Sequence, residues 1–435
     1  MRFLHLATHD TRGGAAQAAY RLHALLRGRG HASRMLVASK SSHDADVHEV
    51  PVSKARYRAQ SLCRRLPGWP ARRFKPSYHA FTLDAPTLVD RTALLAAVGE
   101  RPDVVCLHWV TNFLNVRDIA RLHAHIGAPL LWWLADEEPI TGGCHCTFGC
   151  ERFKQGCGCC PQLHPSHAHD RSRTVWERKR QWLTPLPILF WGGGARLLQK
   201  VRDSGLFGGH RVRQVFPGFD ETVFRPIDRR VARDLLHLPQ ERKIVFFGAT
   251  MLDDPRKGME PLLKALAQLR TLLPGAGLGG DEVFLAYAGL QGAELALRLP
   301  FAGRYLGLLR DSLTLALAYQ AADAFVCPSI GDEGPMMIPE ALLCGTPVVA
   351  FPTGYALDLV RTGETGYLCE HEDAGELAQG LLAVLTAPNA AALAANARAV
   401  AVARHAEQTF VDRFVDLCLA AGATGSGRPG AEVRG

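Results

Sequence analysis

A chain of 435 residues, 47% hydrophobic and 21% charged, has the make-up of an ordinary globular protein and is too long for one core, so two or three domains are expected. No apolar run reaches the roughly 18–20 residues of a bilayer span, and the N-terminus MRFLHLATHD lacks the apolar core of a signal peptide, so a cytoplasmic protein is expected. The net charge of +8 is local: Lys54, Arg56, Arg58, Arg64, Arg65, Arg72, Arg73 and Lys75 fall between Pro51 and Leu83 with no acid among them, and the rest of the chain balances at 42 basic against 42 acidic residues.

Phe3–Thr8 reads as a buried strand, His9 to Gly14 as a loop, and Ala15 to about Arg27 as a helix. Gly13 and Gly14 let the backbone approach a ligand and leave N–H groups at a helix start, without the G-x-G-x-x-G spacing of a dinucleotide site. A second strand follows at Ser33–Ser39. In the basic segment 54–75, Tyr57, Leu62, Leu66, Trp69 and Phe74 alternate with the cations. That surface suits anionic lipid headgroups, which would place the protein peripherally on the inner face of a membrane; a solvated loop is the plain alternative. No nucleic-acid motif accompanies it, so nucleic acid is not expected as a partner.

Val104–Trp109 and Pro129–Leu134, with a helical Val116–Ile126 between them, have the strand–helix–strand rhythm of a parallel sheet. Ala135-Asp136-Glu137-Glu138-Pro139 then makes an acidic turn at a strand's carboxyl end, the edge where open α/β sheets bind ligands. An insertion at 142–162 holds six of the twelve cysteines: Cys144, Cys146, Cys150, Cys157, Cys159 and Cys160. Cys144, Cys150, Cys157 and Cys160 could form a tetrahedral thiolate set for structural zinc. Disulfides, free thiols and an iron–sulfur centre are the other readings. His164, His167 and His169 read as surface residues.

Leu186–Trp191 and Arg211–Phe216 close the first half, and Pro217-Gly218-Phe219-Asp220 begins a crossover. The βα rhythm restarts at Ile244–Ala249, followed by the loop Asp253 to Gly258 and a helix from Met259. Strands at Val283–Ala288, Arg304–Leu306 and Ala324–Cys327 follow, with a helix near Ser312–Gln320. In CPSIGDEGPMMIPEALLCGTPVVAFP, from Cys327 to Pro352, two carboxylates, Asp332 and Glu340, flank a Gly334-Pro335 turn and a helix start. Helix-start amides favour an anion there. Gly345 closes that helix, and Thr346–Phe351 is the next strand. Leu377–Leu385 and Ala390–His405 are helical. The expected division is 1–215, 216–403, a C-terminal helix at 404–420 returning to the first domain, and a disordered tail at 421–435.

Taken together, RGGAAQAA, PGFDETVFRP, GATMLDDPRKG and PSIGDEGPMMIPEALLCGTPVVAF with GETGYL resemble the retaining GT-B glycosyltransferases of the GT4-like group, over about residues 1–405. The segment TGGCHCTFGCERFKQGCGCCPQL looks like the Cys-containing insertion of a subgroup associated with exopolysaccharide and lipopolysaccharide assembly. The resemblance implies an α/β protein of two doubly wound, Rossmann-like domains facing across a cleft. It implies transfer of a hexose-type sugar from a nucleotide-diphosphate sugar to a glycan or lipid-linked acceptor, with no metal cofactor needed for catalysis. Glu340 would bind the ribose, Asp332 would face the donor sugar, and Lys257 with Arg256 would meet the diphosphate. Amides from Gly334, Met336 and Met337, with Pro335 shaping the turn between them, would line the sugar and β-phosphate. Gly13 and Gly14 would lie against donor phosphate or acceptor.

Two departures from that pattern stand out. Asp332 replaces the usual glutamate, which moves the carboxylate by roughly 1.5 Å, one carbon–carbon bond. Ala135 stands where the pattern has a histidine, so Asp136, Glu137 or Glu138 must take over, or the protein is a weak or silent scaffold that only binds nucleotide sugar. Asp136 is the catalytic candidate on this side. Trp191-Gly192-Gly193-Gly194, in place of a serine-containing helix start, is a smaller oddity, and a sugar-nucleotide epimerase is the weakest reading.

Overall fold

The structure is a computed structural model in which residues 1–51, 82, 87 and 89–423 are described. The basic segment 54–75 proposed for anionic lipid lies outside those residues. The chain forms two compact units: Met1–Val215 together with Val411–Gly435, and Phe216–Phe410.

The first unit is built on β1 (Arg2–His9), α1 (Gly14–Gly28), β2 (Ala32–Ser39), β3 (Val47–Glu49), α2 (Arg91–Ala97), β4 (Val104–Leu107), α3 (Val116–Ile126), β5 (Leu130–Trp133), α4 (Arg171–Trp182), β6 (Ile188–Gly192), α5 (Ala195–Asp203) and β7 (Arg211–Gln214). The strands are parallel and ordered β3-β2-β1-β4-β5-β6-β7. β4 and β5 are buried along their whole length, which is why VVCL and LLWW are unbroken apolar runs rather than alternating ones. The α3 boundaries follow from local chemistry. Asn115 and Asp118 form a reciprocal capping box, and Gly127 at φ 67° ends the helix in the left-handed region. The three-residue β3 was not anticipated, being too short to show a period.

The second unit contains α6 (Arg229–Leu235), β8 (Lys243–Met251), α7 (Met259–Leu272), β9 (Val283–Leu290), β10 (Gly303–Tyr305), α8 (Ser312–Ala321), β11 (Ala324–Cys327), α9 (Met337–Leu343), β12 (Val348–Ala350), β13 (Gly366–Leu368), α10 (Ala374–Leu385) and α11 (Ala390–His405). Its parallel sheet runs β10-β9-β8-β11-β12-β13. Both sheets therefore reverse direction beside their first strand, between β1 and β4 and between β8 and β11. That switch point is where crevices open at the carboxyl edge of doubly wound sheets.

A last helix, α12, spans Glu407–Ala423. Its Phe414 packs on Phe3 and Trp191 with ring centroids 6.0 and 5.1 Å apart. The helix begins three residues later than the expected 404 and runs through 421–423, which had been read as tail. Small residues such as Ala421 and Ala423 look like tail in sequence but are good helix formers. Among the described residues, no single helix is long and apolar enough to cross a membrane.

Candidate active site

The second unit places its charged residues on two adjacent loops, one after β8 and one after β11. Asp254 caps the short turn Pro255–Lys257 by accepting from the Arg256 amide at 3.0 Å. The Arg256 guanidinium folds back on the same carboxylate, with bonds of 3.1, 3.2 and 2.6 Å. Gly258 follows at φ +70°, and a Cβ there would lie 1.7 Å from the Pro328 carbonyl oxygen, so only glycine fits. The Ile330 amide donates to the Arg256 carbonyl at 2.9 Å, tying the two loops together.

Lys257 pairs through Nζ with Asp332 Oδ2. Burial pulls the ammonium down, but the charge and hydrogen bond of Asp332 outweigh it and hold Lys257 above the ordinary lysine value. Asp332 Oδ1 also accepts from the Gly334 amide at 3.2 Å. Pro335 and Met336 lead into α9, whose first residue is Met337. Glu340 is only 8% exposed and accepts from the Tyr319 hydroxyl at 3.1 Å. Burial first, then the Glu340 charge, pushes the Tyr319 phenol well up, so it stays a donor. The structure thus joins Lys257 and Asp332 directly and keeps Gly334, Pro335, Met336, Met337 and Glu340 on one strand–turn–helix. Arg256 is turned to Asp254. Asp254 lies in the segment GATMLDDPRKG without a role assigned to it there, and Tyr319 carries no motif at all.

In the first unit, Gly13 at φ 92° precedes α1 and Gly14 is its first residue. Their loop is fixed by a residue not singled out beforehand. Asp10 is fully buried and accepts amides from Thr11, Ser41 and Ser42 at 2.7–3.0 Å. Burial raises its carboxyl and these amides more than reverse that, so it stays ionised.

The three acids after β5 have separate fates. Glu137 is fully buried, pairs with Lys200 and accepts from the Thr147 amide at 2.6 Å. Glu138 pairs with Lys179 at 2.7 Å. Glu137 is closed to substrate, which corrects the expectation that it could stand in at position 135, whereas Glu138 lines the same small cavity as Ala135 and Asp136. Asp136 Oδ2 accepts from Trp109 Nε1 at 2.9 Å and meets His145 Nδ1 at 2.5 Å, while His145 Nε2 meets Thr82 Oγ1 at 2.6 Å. Burial opposes both ionised forms, yet each group's charge overrides it in the other: Asp136 lies below and His145 above its usual range. Ala135 and Asp136 line a small adjoining cavity with Trp109 and Trp133.

Cys144, Cys150, Cys157 and Cys160 do line one cavity of about 20 Å³, with Gly142 and Phe153. All four are free thiols. Burial pushes the Cys157 and Cys160 thiols up to about 12 and 11. Among the described residues, no three His, Cys, Asp or Glu side chains come together so as to hold a metal ion. The expected zinc set is therefore not assembled here, because convergence on a cavity is a weaker condition than tetrahedral approach. What the insertion does is bring His145 to Asp136.

Residues 241–387 match a family model described as "Glycosyl transferases group 1". The D-inositol 3-phosphate glycosyltransferase of Mycolicibacterium paratuberculosis is 37% identical over 214 residues, 48% of this chain and 46% of that protein. Its counterpart in Mycobacterium avium is likewise 37% identical over 214 residues, 48% of each chain. The chain thus matches about half the length of these curated relatives. In fold it is similar to sucrose-phosphate synthase from Thermosynechococcus elongatus, with a TM-score of 0.66 at 18% identity over 98% of this chain and 100% of that one. It is also similar to Anabaena Alr3699/HepE in complex with UDP-glucose, with a TM-score of 0.66 at 17% identity over 97% and 100%. The chain therefore has the GT-B fold, and its second unit carries a glycosyl transferases group 1 domain.

Proposed function

We propose that this protein is a retaining glycosyltransferase that moves a hexose-type sugar from a nucleotide-diphosphate sugar to a glycan or lipid-linked acceptor. The observation that carries the reading is the Lys257–Asp332 pair at the carboxyl edge of β8 and β11, with Glu340 one helix start further on. In this reading Glu340 takes the ribose hydroxyls, Asp332 faces the sugar carbon as positive charge develops, and Lys257 meets the leaving diphosphate. Amides heading α9 share that charge, so stabilisation of the leaving group is the largest catalytic contribution. The acceptor hydroxyl attacks from the face the diphosphate leaves. Asp136, held by Trp109 and His145, is the candidate on the first unit. A nucleotide-release assay over UDP- and GDP-sugars tests this. Lys257→Ala and Glu340→Ala should each abolish release in a folded protein, and full activity in both would overturn the assignment.

A second reading is a scaffold that binds nucleotide sugar without transfer. It rests on Ala135, which cannot hydrogen-bond through its side chain, and on the commitment of Glu137 and Glu138 to lysines. Calorimetric binding of a UDP- or GDP-sugar without nucleotide release would favour it.

A further inference from the structure

The cation best placed for a diphosphate is already occupied. Lys257 Nζ sits on Asp332 Oδ2, with the two side chains 31% and 17% exposed. A charge so far out of water is costly alone, so a partner is expected. What matters is which partner. Arg256 is satisfied by Asp254 within its own turn, whereas Lys257 reaches across 75 residues of sequence to the loop after β11.

The backbone under the pair has little room to move. Gly258 lies against the Pro328 carbonyl, the Ile330 amide holds the Arg256 carbonyl at 2.9 Å, and Asp332 is anchored by the Gly334 amide at 3.2 Å. Exchange of partners at Lys257 is therefore a matter of side chains. The lysine stem has four rotatable carbons and swings easily; the short aspartate, held by Gly334, stays.

We infer that Asp332 is a resident counter-ion for Lys257, holding the ammonium at the phosphate position in the free protein, yielding it to the diphosphate, and recapturing it to help expel the nucleotide product. This rests on the nucleotide-sugar reading above. Carboxylate and diphosphate compete for one ammonium, so nucleotide binds less tightly than the site's contacts alone allow. Once Lys257 turns to the diphosphate, Asp332 remains as an unpaired carboxylate fixed beside the donor, where it favours developing positive charge on the sugar. A single residue thus weakens ground-state binding and favours the transition state.

Titration calorimetry with UDP and with GDP, on the full chain at one salt concentration, tests the competition directly. Asp332→Asn keeps the shape and the Gly334 bond but removes the competing charge. It should bind whichever nucleotide the wild type binds at least about fivefold more tightly, about seven-tenths of a tenfold step on the affinity scale. Lys257→Ala should weaken that nucleotide at least about tenfold, and Asp332→Asn added to it should restore much less than it gains alone. With the matching nucleotide sugar, Asp332→Asn should lower kcat and KM together, the signature of slowed product release. A merely structural Asp332 gives weaker binding instead. Equal or weaker nucleotide binding by Asp332→Asn with an unchanged unfolding temperature overturns the counter-ion role and leaves the transferase reading intact. If the wild type binds neither nucleotide and releases none from its sugars, the transferase reading falls and the counter-ion role with it.

Discussion

The carboxyl edges of the two sheets share one strand order yet use their charges differently. After β8 and β11, Lys257 and Asp332 meet each other at a partly open edge, and Glu340 accepts from the neutral Tyr319 hydroxyl. After β5, Glu137 and Glu138 are closed onto Lys200 and Lys179, which lie on α5 and α4. Glu137 also holds the Cys-rich insertion through the Thr147 amide. The same topology therefore yields a ligand edge where charges can change partners and a scaffold edge where they cannot. Asp136, shared between Trp109 and the insertion's His145, lies between the two cases.

The contrast predicts which losses appear as activity and which as stability. The largest effect belongs to the second unit. Lys257→Ala should cut nucleotide release by about 10²-fold or more, the scale for one group placed on developing charge, in a protein that still folds. At the scaffold edge the order reverses. Lys200→Ala takes the lysine from the fully buried Glu137 and leaves it the Thr147 amide, and breaking a buried ion pair costs about 3–5 kcal/mol. Chemical denaturation should show that loss, whereas nucleotide binding by whatever protein remains folded should match the wild type. A Lys200→Ala protein as stable as wild type would erase the distinction.

A third effect separates the units by pH. His5, His23 and His108 are buried together in the first unit, and His5 Nδ1 meets His108 Nε2 at 2.9 Å, a bond with room for one proton. Burial, then mutual repulsion, holds His5 well below its usual value; burial takes His108 down to about 3 and also lowers His23. An unfolded histidine titrates near 6.5, so below that pH the unfolded chain binds protons that the folded unit refuses. Stability contributed by this cluster is present above about pH 6.5 and is lost steadily as pH falls toward 3. His145 has the opposite sign: its raised value stabilises at low pH, and that contribution fades as pH rises through it. His108→Gln should flatten the acid limb of a stability–pH curve, and an unchanged limb would remove the cluster as its cause.

Local signals account for what the sequence disclosed. The helical Val116–Ile126, the β-branched runs and the Asp332–Glu340 spacing each lie within a dozen residues, and those features stand where expected. Pairings across long stretches were hidden: Glu137 with Lys200 over 63 residues and Lys257 with Asp332 over 75. No local pattern marks such a partner, because only the folded sheet brings the loops together. The cysteines mislead for the same reason. Their spacing suits a chelate, but approach to bonding distance is a property of the folded loop and not of the spacing.

The smallest expected effect tests whether the insertion serves the reaction or only the fold. His145 donates to Asp136 through Nδ1 and reaches Thr82 through Nε2. An asparagine at 145 can keep the first bond, since its amide nitrogen stands about where Nδ1 does, but it cannot make the second. His145→Asn should therefore retain the Asp136 orientation and most turnover while losing about 1 kcal/mol, the net worth of one hydrogen bond. His145→Ala should lose both bonds and lower kcat more than it raises KM, because an unheld Asp136 carboxylate no longer points one way. Equal kcat in the two variants at matched stability would make His145 a staple for the insertion and nothing more. A gap between them would show that the cysteine-rich insertion reaches the chemistry through one imidazole.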